Sequence, residues 1–468
     1  MAQKLNRAHY DVVVVGGGCA GVAAAISAAK KGARTLLIEA GTMIGGELIT
    51  GLPVDGAMNA RGEWIVGGSM KEILDEHARL GGYIGPIKDW RLIWYVCIDP
   101  EIMKIAVSNV VRRHGVHVWL YSFAEDVVVD RGEVTGIVVL NKRQRTLVTA
   151  DVFIDCSGDG DIAMMAGAET MVSNEKGEFQ PLTMLFRISG VKSEPLLRFC
   201  VDQPENLAVG ESEWMGADLT PRECAQKLYD QGQPAIFFKG NGPLIQEGIR
   251  SGKLKYETAL IGLIPVSKER GEVSINTTRI ANIDATDTVK LSDAFGTLVD
   301  QVWSCVDFMR SSVPGFEDAH FSGLSHRVGI RETRRIRGDT VLTGDDVLNA
   351  RKRDDGIGKG AHHIDIHQDG IKQVRIPVKH GGSYDMPYDM LIPRGVKNVY
   401  VAGRCMSADR EGHGSARVMG PCMAQGDAAG LGAVMSMALN DRGDLRGVHV
   451  GRLRDGIRAM SGIVDGTH

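Results

Sequence analysis

From residue 11 the chain runs Asp and four valines, then Gly16-Gly17-Gly18-Cys19-Ala20-Gly21, an alanine-rich stretch to Gly32, and a second apolar run closed by Glu39. Unbroken apolar runs bounded by glycine and polar residues predict strands buried on both faces, as in a parallel sheet. The alanine-rich stretch between them predicts a helix, so the chain opens strand–helix–strand. The same texture returns near the other end. Residues 398–402 read as a buried strand, followed by a glycine-rich loop and a helix over 422–440 rich in alanine and glycine.

Between the two ends the pattern changes twice. Helices are predicted over 70–80 and 100–114, then a strand at 116–120 and a meander over 125–129, 132–140 and 145–150, with Asp130-Arg131-Gly132 as a turn. The apolar strand 152–155 and the turn Ser157-Gly158-Asp159-Gly160 follow. From about residue 170, strand-like segments such as 183–188 and 272–276 alternate with helical ones such as 287–311. No repeat or low-complexity linker interrupts them. The expected architecture is α/β: a Rossmann-like nucleotide-binding domain, a parallel sheet plus a small β-meander, assembled from residues 1–168 and 385–468. An α+β substrate domain, residues 169–384, is inserted between.

The glycines of the opening unit have separate tasks. Gly16 permits the tight turn out of the strand, Gly18 lets a pyrophosphate approach the backbone, and Gly21 lets the helix pack closely on the sheet. The helix N-terminus favours phosphate charge. Glu39, about twenty residues after Gly18, is placed to accept hydrogen bonds from ribose hydroxyls. Strand, fingerprint, helix, second strand and terminal acid in order predict a dinucleotide site.

Composition narrows the class. The 468 residues suffice for two or three domains, 43% are hydrophobic and 24% charged, and the net charge is −4. Nothing in that balance calls for nucleic acid or an anionic membrane. The first strand begins near residue 10, leaving no room for a cleavable signal before it, and no apolar run is long enough to span a bilayer. A cytoplasmic location is expected. The eight cysteines are scattered without a CxxC or a metal-ligand spacing, so buried thiols and no metal site are expected.

Five segments carry a family resemblance: VVVVGGGCAG at 12–21, FIDCSGDGDIAMMAGAE at 153–169, VGIRETRRIRGDTVLTGDDVL at 328–348, HHIDIH at 362–367, and the run from 384 to 430. Together they span nearly the whole chain. It resembles FAD-dependent oxidoreductases of the glutathione-reductase-like flavoprotein class. The resemblance implies extended FAD, with adenosine at Glu39 and the backbone near Val127. The pyrophosphate would lie at Gly16, Gly18, Cys19 and Ala20, with Gly21, Gly46, Gly158 and Asp159 in the same cradle. The flavin end would meet Gly403, Arg404, Arg417, Gly420, Cys422 and Met423. In similar flavoproteins the final strand ends Gly-Asp, the acid binding ribityl hydroxyls. Here Arg404 follows Gly403, leaving it free to pair with phosphate or a carboxylate, with Asp409 as a substitute for the hydroxyl contact.

The residues also suggest chemistry. A helix starting near Met419-Gly420-Pro421-Cys422, with Pro421 in a first-turn position, would place free N–H groups toward the flavin edge. Hydride removal from an alcohol or amine needs a base. His413, bracketed by Gly412 and Gly414, is the leading candidate. Arg331 or Arg334 would bind a substrate carboxylate or FAD phosphate, against the alternative of a salt-bridged surface turn. His326, His362, His363 and His367 are expected to be structural or on the surface. No redox cysteine pair follows the second strand. The run Gly356-Ile357-Gly358-Lys359-Gly360 has no strand before it, so a loop is expected there and no second nucleotide fingerprint.

The expected function is hydride transfer from a small polar organic substrate (alcohol, sugar, amine or hydroxy acid type) to flavin N5. Electrons would pass on to oxygen, a quinone or a carrier protein. Reduction of an activated C=C bond in an unsaturated carboxylic acid and a non-catalytic flavin-binding role are the alternatives. Flavoproteins of this build often pair, so a homodimer stays open.

Overall fold

The computed structural model describes residues 5–173 and 176–466. Its central sheet is parallel throughout, in the order Val399–Val401, Val152–Asp155, Val12–Val15, Thr35–Ile38, His117–Trp119. All four residues of Val12–Val15 are buried, as are those of Thr35–Ile38 and Val152–Asp155. That double burial is why these segments read as unbroken apolar runs rather than alternating ones. Asp155 shares it: burial pushes its carboxyl up to about 6, while Ser157 and the Ala163 N–H hold it in place.

The two chain ends meet face to face. The opening helix Cys19–Lys30 and the closing helix Met419–Met437 pack against each other and both touch the sheet. Small side chains make this possible. A Cβ on Gly426 would lie 2.1 Å from the Ala20 carbonyl oxygen, and one on Gly430 2.3 Å from that of Ala24. The alanine and glycine richness at both ends is thus a packing requirement, two backbones meeting with almost nothing between them.

A four-stranded meander (Asn6–His9, Arg145–Thr149, Glu133–Leu140, Phe123–Asp130) flanks the sheet, and Arg131 and Gly132 turn its hairpin with φ of 51° and 82°. The helix Pro100–Arg113 begins where Asp99 accepts the Glu101 N–H at 2.9 Å, with proline in the first turn.

A second, antiparallel sheet has the order Ile236–Lys239, Leu260–Ser267, Glu272–Asn276, Phe186–Ser189, His320–Leu324. The helix Thr288–Ser312 packs against it over a core of its own. The hairpin Tyr83–Lys88/Trp94–Ile98 packs against this sheet as well.

Two expectations are corrected. The strand expected over 183–188 forms at Phe186–Ser189, while Thr183 makes only an isolated bridge to Gly329. Gly356–Gly360, expected to be a loop, is a fully buried strand paired with Tyr384–Pro387. Glycine suits it because a Cβ on Gly358 would lie 2.9 Å from the Ala424 side chain of the closing helix. Among the described residues no helix is long and apolar enough to cross a membrane.

Candidate active site

The carboxyl ends of the parallel strands open into a cavity of about 750 Å³, a size usual for cofactor sites. Gly16, Gly18, Cys19 and Ala20 line one stretch, Glu39 and Ala40 another, and Ala124, Gly158 and Asp159 follow. Gly16 has φ of 98°, and a Cβ there would lie 2.2 Å from the Cys156 carbonyl oxygen, so the protein itself forbids a side chain. Gly18 is the opposite case. Its φ is −74°, open to any residue, and a Cβ would meet nothing within 4 Å. What a side chain there would obstruct is the cavity. Gly21 lies outside the lining, and a Cβ on it would sit 1.8 Å from the Gly16 carbonyl oxygen.

Glu39 is held by backbone amides, its Oε2 accepting from Gly17 at 2.7 Å and its Oε1 from Gly41 at 2.6 Å. Gly46 lines the cavity, and a Cβ there would stand 3.5 Å from Nη1 of Arg327. Arg327 lines the same stretch, 3.7 Å from Glu47, a positive group at the cavity wall that the sequence reading did not single out. Val127 itself lies outside the lining, which Phe123 and Ala124 reach from the start of the same strand. An open Gly18, a helix N-terminus at Cys19, a fixed acid and the buried, unpartnered Nη1 of Arg404 together fit an extended dinucleotide.

At the far end Arg404 pairs with Asp159 at 3.0 Å, so the carboxylate partner is the one it finds. Asp409 is not a hydroxyl ligand. It caps the helix Arg410–Ala416, accepting the Gly412 N–H at 2.7 Å. Val418, Met419 and Cys422 bring the first turn of the closing helix to the cavity wall. Gly420 and Met423 do not line it. The Gly420 N–H is donated to the Asp55 carbonyl oxygen at 2.9 Å, a Cβ there would lie 2.4 Å from the Gly56 carbonyl oxygen, and Met423 is core. Burial pushes the Cys19 thiol up to about 12 and Cys422 higher still, so neither is a thiolate near neutral pH. All eight cysteines are free and buried, and the described residues hold no metal-binding cluster.

The expected base is corrected too. His413 is fully buried and outside the cavity lining, and its Nε2 donates to the Arg404 carbonyl oxygen at 2.9 Å. Burial, with Arg335 and Arg417 nearby, holds it well below its usual range. Its place is to fix the Arg404 loop. Arg334 does not line the cavity either; it is bonded to the Asp159 carbonyl oxygen at 2.7 Å and to Asp161 at 2.6 Å. Arg331 does line the cavity, donating to the Pro181 carbonyl oxygen and to Thr183. Burial, with Arg417 beside it, brings Arg331 down to about 9, still charged at neutral pH. The segment is an internal strut rather than a surface turn: Glu332, Thr333 and Arg335 are all buried.

The groups that reach the cavity are those expected to be structural. His326, His362 and His367 line it with Asp55, Asp365 and Arg417. His362 Nδ1 lies 2.8 Å from the His363 carbonyl oxygen, which can only accept. The proton therefore sits on Nδ1 and the lone pair on Nε2. Burial pushes His362 down to about 4, so it is neutral at physiological pH. His367 is committed on both sides, Nε2 to Asp365 at 2.8 Å and Nδ1 to the Gln373 amide at 2.6 Å. Burial opposes ionisation of Asp365, but His367, which hydrogen-bonds it, and the Arg417 charge hold it well below the usual carboxylate range. Asp55 goes the other way, raised well above its ordinary value by burial and by Asp89 and Asp365. The signal in the chain was HHIDIH itself. In the strand Ile364–His367, Asp365 and His367 share a face by alternation.

A family model described as FAD dependent oxidoreductase matches residues 11–457. Among curated proteins, digeranylgeranylglycerophospholipid reductase 2 of Methanococcoides burtonii is 28% identical over 35% of this chain and 42% of its own length. Thiamine thiazole synthase of Pyrococcus horikoshii is 30% identical over 29% of this chain and 48% of its own. The chain thus spans less than half the length of the curated relatives it matches. Among solved structures, a geranylgeranyl bacteriochlorophyll reductase-like protein of Thermoplasma acidophilum superposes with a TM-score of 0.47 at 14% identity, covering 98% of this chain and 85% of that one. A flavoprotein/dehydrogenase of Cytophaga hutchinsonii gives 0.45 at 13%, covering 97% and 82%. The chain belongs to the FAD-dependent oxidoreductase family, and FAD is its cofactor.

Proposed function

We propose that the protein oxidises a small polar organic molecule held in the cavity between Arg417, Asp55 and His362, and passes the electrons to oxygen, a quinone or a carrier protein. The carrying observation is one continuous lining, from the Gly16–Gly18 turn at one end to His362, Asp365 and Arg331 at the other. FAD bound along it supplies two-electron acceptance at flavin N5. The chain's own residues do the rest. His362 Nε2, with its lone pair free, takes the proton from a substrate hydroxyl or amine. Asp365 and Gln373 fix His367 as a rigid wall, and Arg417 and Arg331 orient polar substituents. Gly16, Gly18, Cys19, Ala20, Glu39, Arg327 and Arg404 hold the cofactor, and His413 steadies Arg404.

Asp55 supports a second reading. A buried acid with a raised pKa and an unpartnered Oδ1 is a proton donor, as reduction of an activated C=C bond requires. The test is to mix the yellow, oxidised protein with pooled metabolites under anaerobiosis. Bleaching by an alcohol, amine or hydroxy acid supports oxidation. Rapid reoxidation of photoreduced protein by an unsaturated acid supports the second reading. A correctly folded protein that binds no flavin refutes both.

A further inference from the structure

A side chamber of about 90 Å³ adjoins the main cavity, the two sharing Asp55, Asn276, Arg331, His362, Asp365 and His367. Three guanidinium groups line it: Arg91, Arg279 and Arg331. Among the described residues none of the three makes an ion pair within 4.0 Å. Arg331 bonds only to the neutral oxygens of Pro181 and Thr183, and Arg279 to the Gln368 carbonyl oxygen at 2.5 Å. Arg91 is 5% exposed, stands 4.4 Å over the Phe237 ring, and has Nε and Nη1 buried without an acceptor. Buried charge in this state is expensive unless something pairs with it.

The acids nearby, Asp89, Glu211 and Asp365, hold Arg91 in its charged form from a distance, but none pairs with it directly. Asp365 is engaged by His367 at 2.8 Å. Asp89 directs Oδ1 to three backbone N–H groups, those of Arg91, Leu92 and Ile93. Asp55 is driven toward its neutral form by burial. His362 and His363 are neutral, so the chamber keeps an excess of positive charge. Its volume equals only about three waters' share of liquid. That admits a carboxylate on a short arm, not a ring or a sugar.

We infer that the substrate is a carboxylic acid whose carboxylate enters this chamber and is bound by Arg91 and Arg331, with Arg279 as the third positive group. The inference rests on reading the main cavity as the substrate site. It deepens that reading by fixing one end of the substrate: the carboxylate anchors in the chamber, and the reacting carbon stands in the main cavity beside His362. A guanidinium forms directed, charge-assisted hydrogen bonds to a carboxylate that a neutral amide of the same shape cannot reproduce.

The experiment uses FAD-loaded protein and a matched probe set: acetate, propionate and glycolate against acetamide, propionamide and ethylene glycol. Binding is read from perturbation of the flavin absorption band and from the thermal midpoint. Carboxylates are expected to saturate, with the neutral analogues about ten- to a hundredfold weaker. Arg91→Gln should weaken carboxylate binding by a similar factor with flavin content unchanged, and Arg91→Lys, which keeps the charge, should recover part of it. Neutral analogues binding as well as carboxylates would overturn the inference. So would carboxylate binding unaltered in both Arg91 variants, or no saturable response to any carboxylate. The two readings fail separately. If carboxylates bind through Arg91 but no compound exchanges electrons with the flavin, the subsite stands and the redox reading falls. If neutral substrates bleach the flavin equally in Arg91→Gln, the redox reading stands and the subsite falls.

Discussion

Gly16 and Gly18 sit two residues apart in one turn, yet alanine should injure the protein in different ways at the two positions. At Gly18 the new methyl meets no protein atom within 4 Å, and φ of −74° suits alanine. Losing glycine at an N-cap costs roughly 0.5–1 kcal/mol, and reduced freedom of the unfolded chain returns about 0.4–1 kcal/mol. The flavin-free Gly18→Ala protein should therefore match the parent within about 1 kcal/mol. Since unfolding entropy is about 2.1 cal/mol/K per residue, a chain of this length shifts by about 1 °C per kcal/mol. At Gly16 the added Cβ would lie 2.2 Å from the Cys156 carbonyl oxygen with φ at 98°. Overlap of roughly 1–3 kcal/mol and backbone strain of similar size predict a loss of about 3–5 kcal/mol and a midpoint 3–5 °C lower. Flavin affinity should order the other way. Gly18→Ala should lose at least about 2 kcal/mol of binding, some thirtyfold, because its methyl occupies the path of the pyrophosphate. Differential scanning calorimetry of flavin-free protein and flavin titration by fluorescence quenching give both quantities. Full flavin affinity in Gly18→Ala, or a thermal midpoint in Gly16→Ala equal to the parent's, would refute the assignment of this turn.

Other outcomes follow from the same geometry. His362→Gln should slow anaerobic flavin reduction by substrate about 10²–10⁴-fold with flavin still bound, whereas His413→Gln should change that rate only a few-fold; stopped-flow absorbance compares them, and the reverse order would restore His413 as the base. Because the folded-state pKa of His413 is depressed, its neutral form contributes stability that is fully present above the unfolded value near 6.5 and is lost as pH falls. The destabilisation caused by His413→Gln, measured by urea unfolding, should thus be largest at pH 8 and shrink below pH 6.5. Gly430→Ala should invert the usual helix rule. Alanine normally gains about 0.8–1 kcal/mol over glycine in a helix interior, but a Cβ 2.3 Å from the Ala24 carbonyl oxygen should leave a net loss of roughly 1–2 kcal/mol in the unfolding free energy measured in urea.

The parts of this protein legible in the chain are those where one local rule dictates the residues. Four consecutive valines can only be a doubly buried strand, and Gly16-x-Gly18-x-x-Gly21 between strand and helix leaves little freedom of interpretation. The meander turn Asp130-Arg131-Gly132 was equally plain. What stayed hidden was long-range. Flanking glycines made His413 look like a mobile loop base, but those glycines serve close packing: Gly412 lies against the Leu342 carbonyl and Gly414 against that of Asp365. The base candidate His362 lies in a strand region distant in sequence from every nucleotide-binding residue. Nothing local distinguishes it from a core histidine. Gly356–Gly360 looked like a loop because glycine-rich runs usually are, and only the closing helix lying against it explains a strand. Asp55 and Arg91 carried no motif at all. They matter because Phe237 and residues between 258 and 279 line the same chamber.

The central claim is that both chain ends form one cradle for FAD, with the substrate chamber at its inner end. A crystal structure of the flavin-loaded protein tests it most directly. The account predicts pyrophosphate density against Gly16, Gly18 and Arg327, ribose against Glu39, and the isoalloxazine ring between Arg404 and the Val418–Met419 turn with its N5 side toward His362. Flavin density elsewhere, or a ring turned away from the His362 chamber, would contradict it.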